Sequence, residues 1–524
     1  MRNLDDGLEN HLETLLTQVE LLNGHFNKTI VSLGNNKFAL DIFSFTIKGK
    51  EVKQIYLTGV YKLGVLELLK HLGVYSKKVL NTDIFIRKVD NVLEEVSVKA
   101  IKEVLNYYLN QLPTLTIEFD GLAEEYSKEA QIETFYKQTH LVINESFLGY
   151  LEKDESEFLI DISDCAFLAF QNGIIEVTAK SVLKLEFAEL QDKVLWRNNI
   201  ISRTINNKEA GGHFSEFIAN VCNQDSKRIE TLKSAIGYLL HSYHHSSKCQ
   251  MVILYDEMIT DLNNPQGGTG KGLIANAVSN IRQTVKIDGK KFKGDNRFDF
   301  QEVDFATRVL WLDDVSKHMD IDRFNSISTD GFNIEKKFKD SLKIPASKSP
   351  KILICSNIIL DCTGTTRKRR QFIIELAPYY SSRIGTGIEE PIIQIHGTRF
   401  FTDEWDEDEW NRFYWYMIDC LQLYLSNGLV YAPVINVVEN RSRQLIGEDF
   451  FNWAQEQNFE PGKEHPTTVL YEEYKSLFEK GNDKFLQRTF SNKLKAFVNL
   501  KEMKLEFFTK PNGSSKESYF RIKN

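Results

Sequence analysis

Pro265-Gln-Gly-Gly-Thr-Gly-Lys-Gly272 stands between the apolar run Met251-Val-Ile-Leu-Tyr255 and a segment in which Leu273, Ile274, Ala277, Val278 and Ile281 recur at helical spacing. Strand, glycine-rich loop and helix in that order predict a cradle for a triphosphate. Glycines let backbone N–H groups approach phosphate oxygens closely, and a lysine at the helix start neutralises the β and γ groups. Gly267, Gly268, Thr269, Gly270, Lys271 and Gly272 are therefore the candidate nucleotide-binding residues. The stretch departs from the usual pattern at both ends. Pro265 stands where a glycine is usual, and Gly272 where a hydroxyl residue takes Mg²⁺. Taken by itself, the loop also fits a glycine turn that only caps a helix.

Elements further along favour the cradle. Val309-Leu-Trp-Leu-Asp313-Asp314 is an apolar strand ending in two carboxylates, which a metal-dependent NTPase needs beside its phosphate loop. Asp313 is the candidate Mg²⁺ ligand, directly or through water, and Asp314 the group that orients or deprotonates the attacking water. Two solvated acids at a strand end are the alternative. A third strand, Lys351-Ile-Leu-Ile-Cys-Ser-Asn357, ends in an amide able to contact a γ-phosphate or the water. Between the acids and this Asn, residues 333–345 place two short segments around a polar tip and carry Lys336, Lys337, Lys339 and Lys343. That pattern predicts a basic β-hairpin, with a solvated basic loop as the alternative. Arg367, Arg369 and Arg370 then precede the apolar Phe372-Ile-Ile-Glu-Leu376, where a guanidinium can reach a neighbouring subunit's γ-phosphate as arginine fingers do.

In this order of phosphate loop, Asp-Asp strand, lysine hairpin, Asn strand and Arg cluster, the chain resembles the superfamily 3 helicases of viruses, phages and plasmids. Within them it is most similar to the phage and mobile-element helicases often joined to primases. Phe167-Leu-Ala-Phe-Gln-Asn-Gly173 resembles the segment preceding such cores, and Ile236-Gly-Tyr-Leu-Leu240 their linking helix. The resemblance implies an α/β protein with an AAA+ P-loop NTPase core at 246–435. An α+β module without assigned role would fill 1–150, a helical collar for oligomerisation 151–245, and a winged-helix DNA-binding domain 436–524. It further implies ATP and Mg²⁺ as cofactors, a homo-hexamer, hairpin lysines inside a central channel, and translocation on single-stranded DNA. The setting would be replication of a phage, plasmid or mobile element, with origin duplex DNA and a primase or polymerase as further partners. Asp in place of the usual catalytic Glu matches papillomavirus-type members. Gly272 leaves Mg²⁺ to Asp313, phosphate oxygens and waters. Two other functions share these residues. One is an RNA helicase with the same core, since backbone-tracking lysines do not distinguish the strands. The other is a ring-forming NTPase switch or DNA-binding initiator in which nucleotide only sets assembly.

Residues 467–524 carry twelve Lys or Arg against seven Asp or Glu, although the 524-residue chain has a net charge of −8. Leu470 to Phe478 is helix-patterned, Phe490, Leu494 and Phe497 share one face of the next helix, and two strand-like runs flank Pro511-Asn512-Gly513. Helices followed by a hairpin predict a winged helix, with Arg488, Lys493, Lys495, Lys510 and Lys516 touching DNA; a packing module with a soluble surface is the alternative. An acidic chain is an unusual nucleic-acid binder if its outer surface does the binding, so lysines at a ring axis would supply the positive channel. Lys290, Lys291, Lys293 and Arg297 would line it too.

At the amino end Leu8, Leu12, Leu15, Val19 and Leu22 form an apolar helical stripe, explained best by core or oligomer contact. The acidic, polar stretch 120–155 predicts a linker. Asp161 and Asp164 are a superficial match to primase carboxylates, but residues three apart do not share a strand face. Six cysteines without a Cys-x-x-Cys pair suggest neither zinc ribbon nor disulfide framework. His241, His244 and His245 form a helix-end cluster with no ligand partner at the right spacing. No apolar run approaches bilayer length and no signal peptide opens the chain, so a cytoplasmic protein without membrane partners is expected. An acidic start at Trp405 to Trp410 followed by dense aromatics predicts a buried helix capped by Gly428.

Overall fold

The computed structural model describes residues 16–79, 82–245, 249–259, 267–292, 299–304, 306–316, 319, 321–335, 342–360, 369–384, 390–478, 486–500, 503–512 and 515–523. It shows a mixed α/β protein with several sheets. Two compact units divide it, residues up to 159 with 185–200, and residues 160–184 with 201 onward.

In the first unit, Phe43-Ser-Phe-Thr-Ile-Lys48 buries every second residue, as an antiparallel strand with one wet face requires. It lies in a four-stranded antiparallel sheet ordered Val31–Gly34, Lys37–Leu40, Phe43–Lys48, Gln54–Val60. Helices Lys62–His71, Val98–Gln111 and Lys128–Val142 bury Leu68, Leu105, Tyr108 and Phe135 in one core with Phe38 and Phe45. The last helix corrects the linker expected at 120–155. Ser127 caps it by accepting from Ala130 N at 3.3 Å, and of its apolar residues Phe135 and Val142 are buried. Val19 joins this core; Leu8, Leu12 and Leu15 lie outside the described residues. Beside a second, five-stranded sheet, Lys77 and Lys88 converge on Asp154 at 2.6 and 3.0 Å, and Arg87 and Arg197 on Glu94 at 3.0 and 2.7 Å.

The span 151–245, expected to be helical, is largely strand in its first half. Strands Glu157–Phe158, Cys165–Phe170, Gly173–Thr178, Val182–Leu185 and Lys193–Trp196 precede helices His213–Val221 and Ser226–Leu240. The reason is local: Cys165–Phe170, apolar on both faces, folds back on Gly173–Thr178 through Gln171-Asn172. Helix Ser226–Leu240 packs so closely on helix Glu407–Asn427 that a Cβ at Gly237 would stand 2.0 Å from the Cys420 carbonyl oxygen. The longer helix is capped by Asp406, which accepts from Glu409 N at 2.7 Å, and stops at Gly428, as its sequence predicts.

The centre of the second unit is a five-stranded sheet. Its strands are β1 (Met251–Asp256), β2 (Thr284–Asp288), β3 (Val309–Asp313), β4 (Lys351–Cys355) and β5 (Gln371–Leu376), in spatial order β2-β3-β4-β1-β5 and all parallel. Parallel neighbours need crossovers that cover both faces, and β1 and β4 are buried throughout. The segment after β3 includes helix Ile321–Asp330 and the expected hairpin, Phe332–Ile334 paired antiparallel with Leu342–Ile344. At the amino edge of this sheet Asp161, the superficial primase match, is a buried structural carboxylate. It pairs with Arg282 at 2.8 Å and accepts from Ser242 N and Phe167 N. His241 and His244 are likewise structural, their Nε2 atoms meeting the backbone oxygens of Ile162 and Ser328 at 2.8 and 2.6 Å. Cys165, Cys222, Cys249, Cys355 and Cys420 are buried and in no disulfide; Cys362 lies outside the described residues.

The carboxyl-terminal part has helices Val437–Ile446, Glu448–Glu456, Thr467–Phe478 and Gln487–Leu500 and a three-stranded antiparallel sheet. In that sheet Ser515–Lys523 lies between Glu464–Pro466 and Lys504–Asn512. Phe450, Trp453, Tyr474, Phe490, Leu494, Phe497 and Phe520 form its core. Among the described residues no helix is long and apolar enough to cross a membrane.

Lys351, at the start of β4, is 4% exposed, with its ammonium 3.7 Å from the Tyr238 ring centre. Burial pushes its pKa from 10.5 down to about 7. Between those values the unfolded chain holds a proton that the folded chain lacks, so this group makes stability rise with pH across that window. Urea midpoints of wild type and Lys351→Met should therefore shift in favour of wild type as pH rises from about 6.5 to about 9.5. A pH-independent difference would remove Lys351 as the source.

Candidate functional site

Parallel pairing sets Asp313 opposite Cys355, and Cys355 opposite Leu254, so the carboxyl ends of β3, β4 and β1 lie side by side. Ligands of open parallel sheets bind outside such ends. Helix Lys271–Ser279 starts there, with Gly270 as its N-cap in the left-handed region at φ +108°. A Cβ at Gly270 would stand 2.6 Å from Phe217 Cζ, so both backbone and space demand glycine. The helix start directs free N–H groups and the positive end of the helix dipole at the space above.

That space is a cavity of about 460 Å³, within the range of small-molecule sites. The whole predicted loop lines it, Gly267, Gly268, Thr269, Gly270, Lys271 and Gly272, together with Asp313, Asp314 and Asn357. Sequence reasoning missed the wall opposite, formed by Tyr380, Ile384, Pro391 and Ile392. It also missed Asp256, the last residue of β1. Asp256 is 2% exposed; its Oδ1 accepts from Lys271 Nζ at 2.5 Å and from the Thr269 hydroxyl. Lys271 is thus buried and paired with a carboxylate of its own chain. A charged residue closing an otherwise apolar strand next to the loop was the available signal.

The two acids are held differently. Asp313 pairs with Lys286 Nζ at 2.7 Å, and that ammonium lies 4.2 Å from the Trp311 ring centre. Lys286 sits opposite Trp311 in the β2–β3 register, which puts it within reach. Asp314 turns out of the strand at φ +52°, donates its N–H to the Cys355 carbonyl at 3.0 Å, and pairs with Lys290. Its Oδ1 accepts from Asn357 Nδ2 at 3.3 Å. Asn357 Oδ1 is buried and has no hydrogen-bond partner among the described residues. Lys291 pairs with Asp288 at 3.1 Å, and Lys293 and Arg297 lie outside the described residues.

The donor set fits a nucleotide with a hard divalent cation. Backbone N–H groups and Lys271 would hold phosphate oxygens, and the partly exposed Asp313 carboxylate would supply an oxygen ligand of the kind Mg²⁺ takes.

Other candidates lie elsewhere. Arg369 and Arg370 precede β5, whose first residue pairs with the start of β1, and the Arg370 carbonyl accepts from Met251 N at 2.8 Å. They stand at the opposite edge of the sheet, roughly 16 Å from the cavity side at ~3.3 Å per strand residue, and do not serve this chain's own cavity. Arg367, Lys336, Lys337 and Lys339 lie outside the described residues, and Lys343 is exposed on the hairpin. Arg488, Lys495 and Lys516 are exposed, whereas Lys510 is tied to Glu464. Lys493 is half-buried with its ammonium 5.7 Å from the Phe450 ring centre, and burial lowers its pKa. It sits three residues after Phe490, on the inward side of its helix.

No family model and no curated protein matches the chain. Solved structures of the C-terminal region of NrS-1 are similar at a distance. An A form apo structure has a TM-score of 0.40 at 10% identity, covering 87% of this chain and 98% of that one. An apo structure of residues 305–718 of that protein scores 0.39, and its A form 0.41, each at 10% identity and covering 88% of this chain.

Asp256→Ala leaves Lys271 buried without its carboxylate, which typically costs about 3–5 kcal/mol. The variant should melt below wild type without ligand, and a Mg-ATP analogue should raise its midpoint by more than it raises wild type's, because phosphate replaces the missing anion. An equal or smaller rise would show that Lys271 does not exchange partners.

Proposed function

We propose that this chain is an ATP-dependent DNA helicase of the superfamily 3 AAA+ type, working as a ring on single-stranded DNA in replication of a phage, plasmid or mobile element. One observation carries the reading: a single cavity gathers the glycine loop, Lys271, Asp313, Asp314 and Asn357 from three adjacent strand ends.

In this reading the loop N–H groups and Lys271 bind the phosphates, with Lys271 moving from Asp256 to the anion. Mg²⁺ on Asp313 would neutralise charge developing on the β- and γ-phosphate oxygens. Asp314, hydrogen-bonded to Asn357, orients the attacking water and accepts its proton, and the Asn357 amide senses the γ-phosphate. Tyr380 and Ile384 line the site. Arg369 or Arg370, remote from its own cavity, serves the neighbour in the ring, and Arg367 belongs to the same cluster. Hairpin lysines Lys336, Lys337, Lys339 and Lys343 follow the DNA backbone. The order helix, short strand, two helices and two long strands from Glu448 to Lys523 supports a winged helix, with Arg488, Lys495 and Lys516 as phosphate contacts.

A second reading, a nucleotide-switched initiator, is favoured by Gly272, which offers Mg²⁺ no hydroxyl. A Cβ at Gly272 meets nothing within 4 Å, so the missing ligand can be restored without strain. Gly272→Ser should raise Mg²⁺-dependent ATP turnover several-fold if the site is a motor limited by that ligand. No gain, together with ATP-driven ring assembly and no unwinding, would favour the switch.

The main test is ATP hydrolysis with and without single-stranded DNA, beside Lys271→Ala. DNA-stimulated turnover lost in the variant is expected; turnover unchanged by Lys271→Ala would sink the assignment. Lys336→Ala with Lys337→Ala should spare basal turnover and abolish unwinding of a forked DNA duplex, and full unwinding would remove both lysines from the channel.

A further inference from the structure

Behind the Tyr380 wall stands a side-chain cluster that the nucleotide reading does not use. His213 and Glu216 lie three residues apart on the first turn of helix His213–Val221 and so share a face. His396 closes helix Pro391–His396. One ligand atom from each of the three lies within 4.8 Å of the other two. His396 Nδ1 points at Glu216 Oε2, 3.5 Å away, from a side chain with no exposed surface. That nitrogen is buried and has no hydrogen-bond partner among the described residues.

From this geometry we propose that His213, Glu216 and His396 bind a borderline-soft divalent cation, Zn²⁺ or a close equivalent. Two imidazoles and a carboxylate suit zinc, with water in the fourth position, whereas Mg²⁺ prefers oxygen ligands and keeps its own waters. The surroundings of His396 match those of a metal ligand. Its Nε2 meets the Tyr380 hydroxyl at 2.7 Å. With Nε2–H donating to that oxygen, Nδ1 carries the lone pair, as a second partner commonly arranges for ligating histidines. His213 is positioned independently, since the helix start is fixed by Glu409, whose Oε1 accepts from His213 N at 2.6 Å.

Ligand atoms around tetrahedral zinc stand ~3.4 Å apart, given bonds of ~2.1 Å. The cluster therefore has to tighten slightly, and Glu216, with 57% of its side chain exposed, is free to rotate inward. A bound ion would tie helix His213–Val221 to helix Pro391–His396, whose Pro391 and Ile392 line the nucleotide cavity. The proposal does not depend on the helicase reading.

The test uses the full chain stripped with a chelator and titrated with Zn²⁺, with Co²⁺ absorption as a spectroscopic probe of geometry. Wild type should bind about one zinc ion per chain with Co²⁺ bands of low coordination number. Glu216→Gln, on the exposed side, and His213→Asn should each weaken binding roughly 10–100-fold with an unchanged circular dichroism spectrum. Lys271→Ala should bind as wild type does. Absence of binding to folded wild type, or equal zinc affinity in a folded Glu216→Gln/His213→Asn double variant, would overturn the site. Using these two partly exposed positions avoids disturbing the buried His396.

Discussion

Parallel pairing of β1 with β4 and of β4 with β3 is the constraint on which the rest of the second unit depends. A parallel sheet covered on both faces has no wet side, so its strands are apolar runs and polar chemistry is confined to their ends. Asp256, Asp313 and Asn357 are such ends. Because the strands point the same way, residues separated by about a hundred positions in sequence meet at one edge. The glycine-rich loop reaches that edge because it is the connection leaving β1. The Arg pair falls at the other edge for the same reason, since it immediately precedes a strand running in the same direction.

This is also why so much of the site was legible in the sequence. An apolar run followed by glycines, another followed by two acids and a third followed by Asn are local patterns, and parallel topology alone makes them neighbours. The hairpin after β3 and the helix-then-strands order of the tail were local too. What escaped was tertiary. Tyr380 and Ile384 come from a segment with no periodic pattern, and they matter only because it folds over the loop. The strands of 151–205 were hidden because an apolar hairpin without alternation resembles a buried helix segment. The helix at 128–142 was hidden because few apolar residues suffice to seat it. The first unit takes in residues 185–200 as well as the amino-terminal stretch, a discontinuity that a linear reading cannot anticipate.

The charges within the site are mutually neutralised, but unequally. Lys286 and Lys290 are more than half exposed on Asp313 and Asp314. Exposed pairs of this kind are worth about 0–1 kcal/mol, so a divalent cation would displace such a lysine at little cost. The Lys271–Asp256 pair is buried, with side chains 9% and 3% exposed, and separating it without a replacement is expensive. Of the two sides of the cavity, the acids are therefore open to exchange, and the phosphate side yields only to an anion that takes over the lysine. An acidic chain can hold three carboxylates so close together because each already has its own cation.

Helix His213–Val221 links this charge cluster to the rest of the second unit. Phe217 on one side limits Gly270 to glycine and stacks on Tyr380 at 5.5 Å between ring centres. His213 and Glu216, on the first turn, face His396. The Tyr380 hydroxyl joins the two sides, taking a hydrogen bond from Asn220 Nδ2 at 3.0 Å while meeting His396 Nε2. Asn220 is on the same helix, so loop, wall and histidine cluster all reference one short rigid element. Displacing that helix by a fraction of an ångström would move Phe217 against Gly270 and Asn220 against Tyr380 together. Packed elements of this kind shift as units and not residue by residue, so the position of the glycine-rich loop is set as much by residues 213–221 as by the strand it leaves.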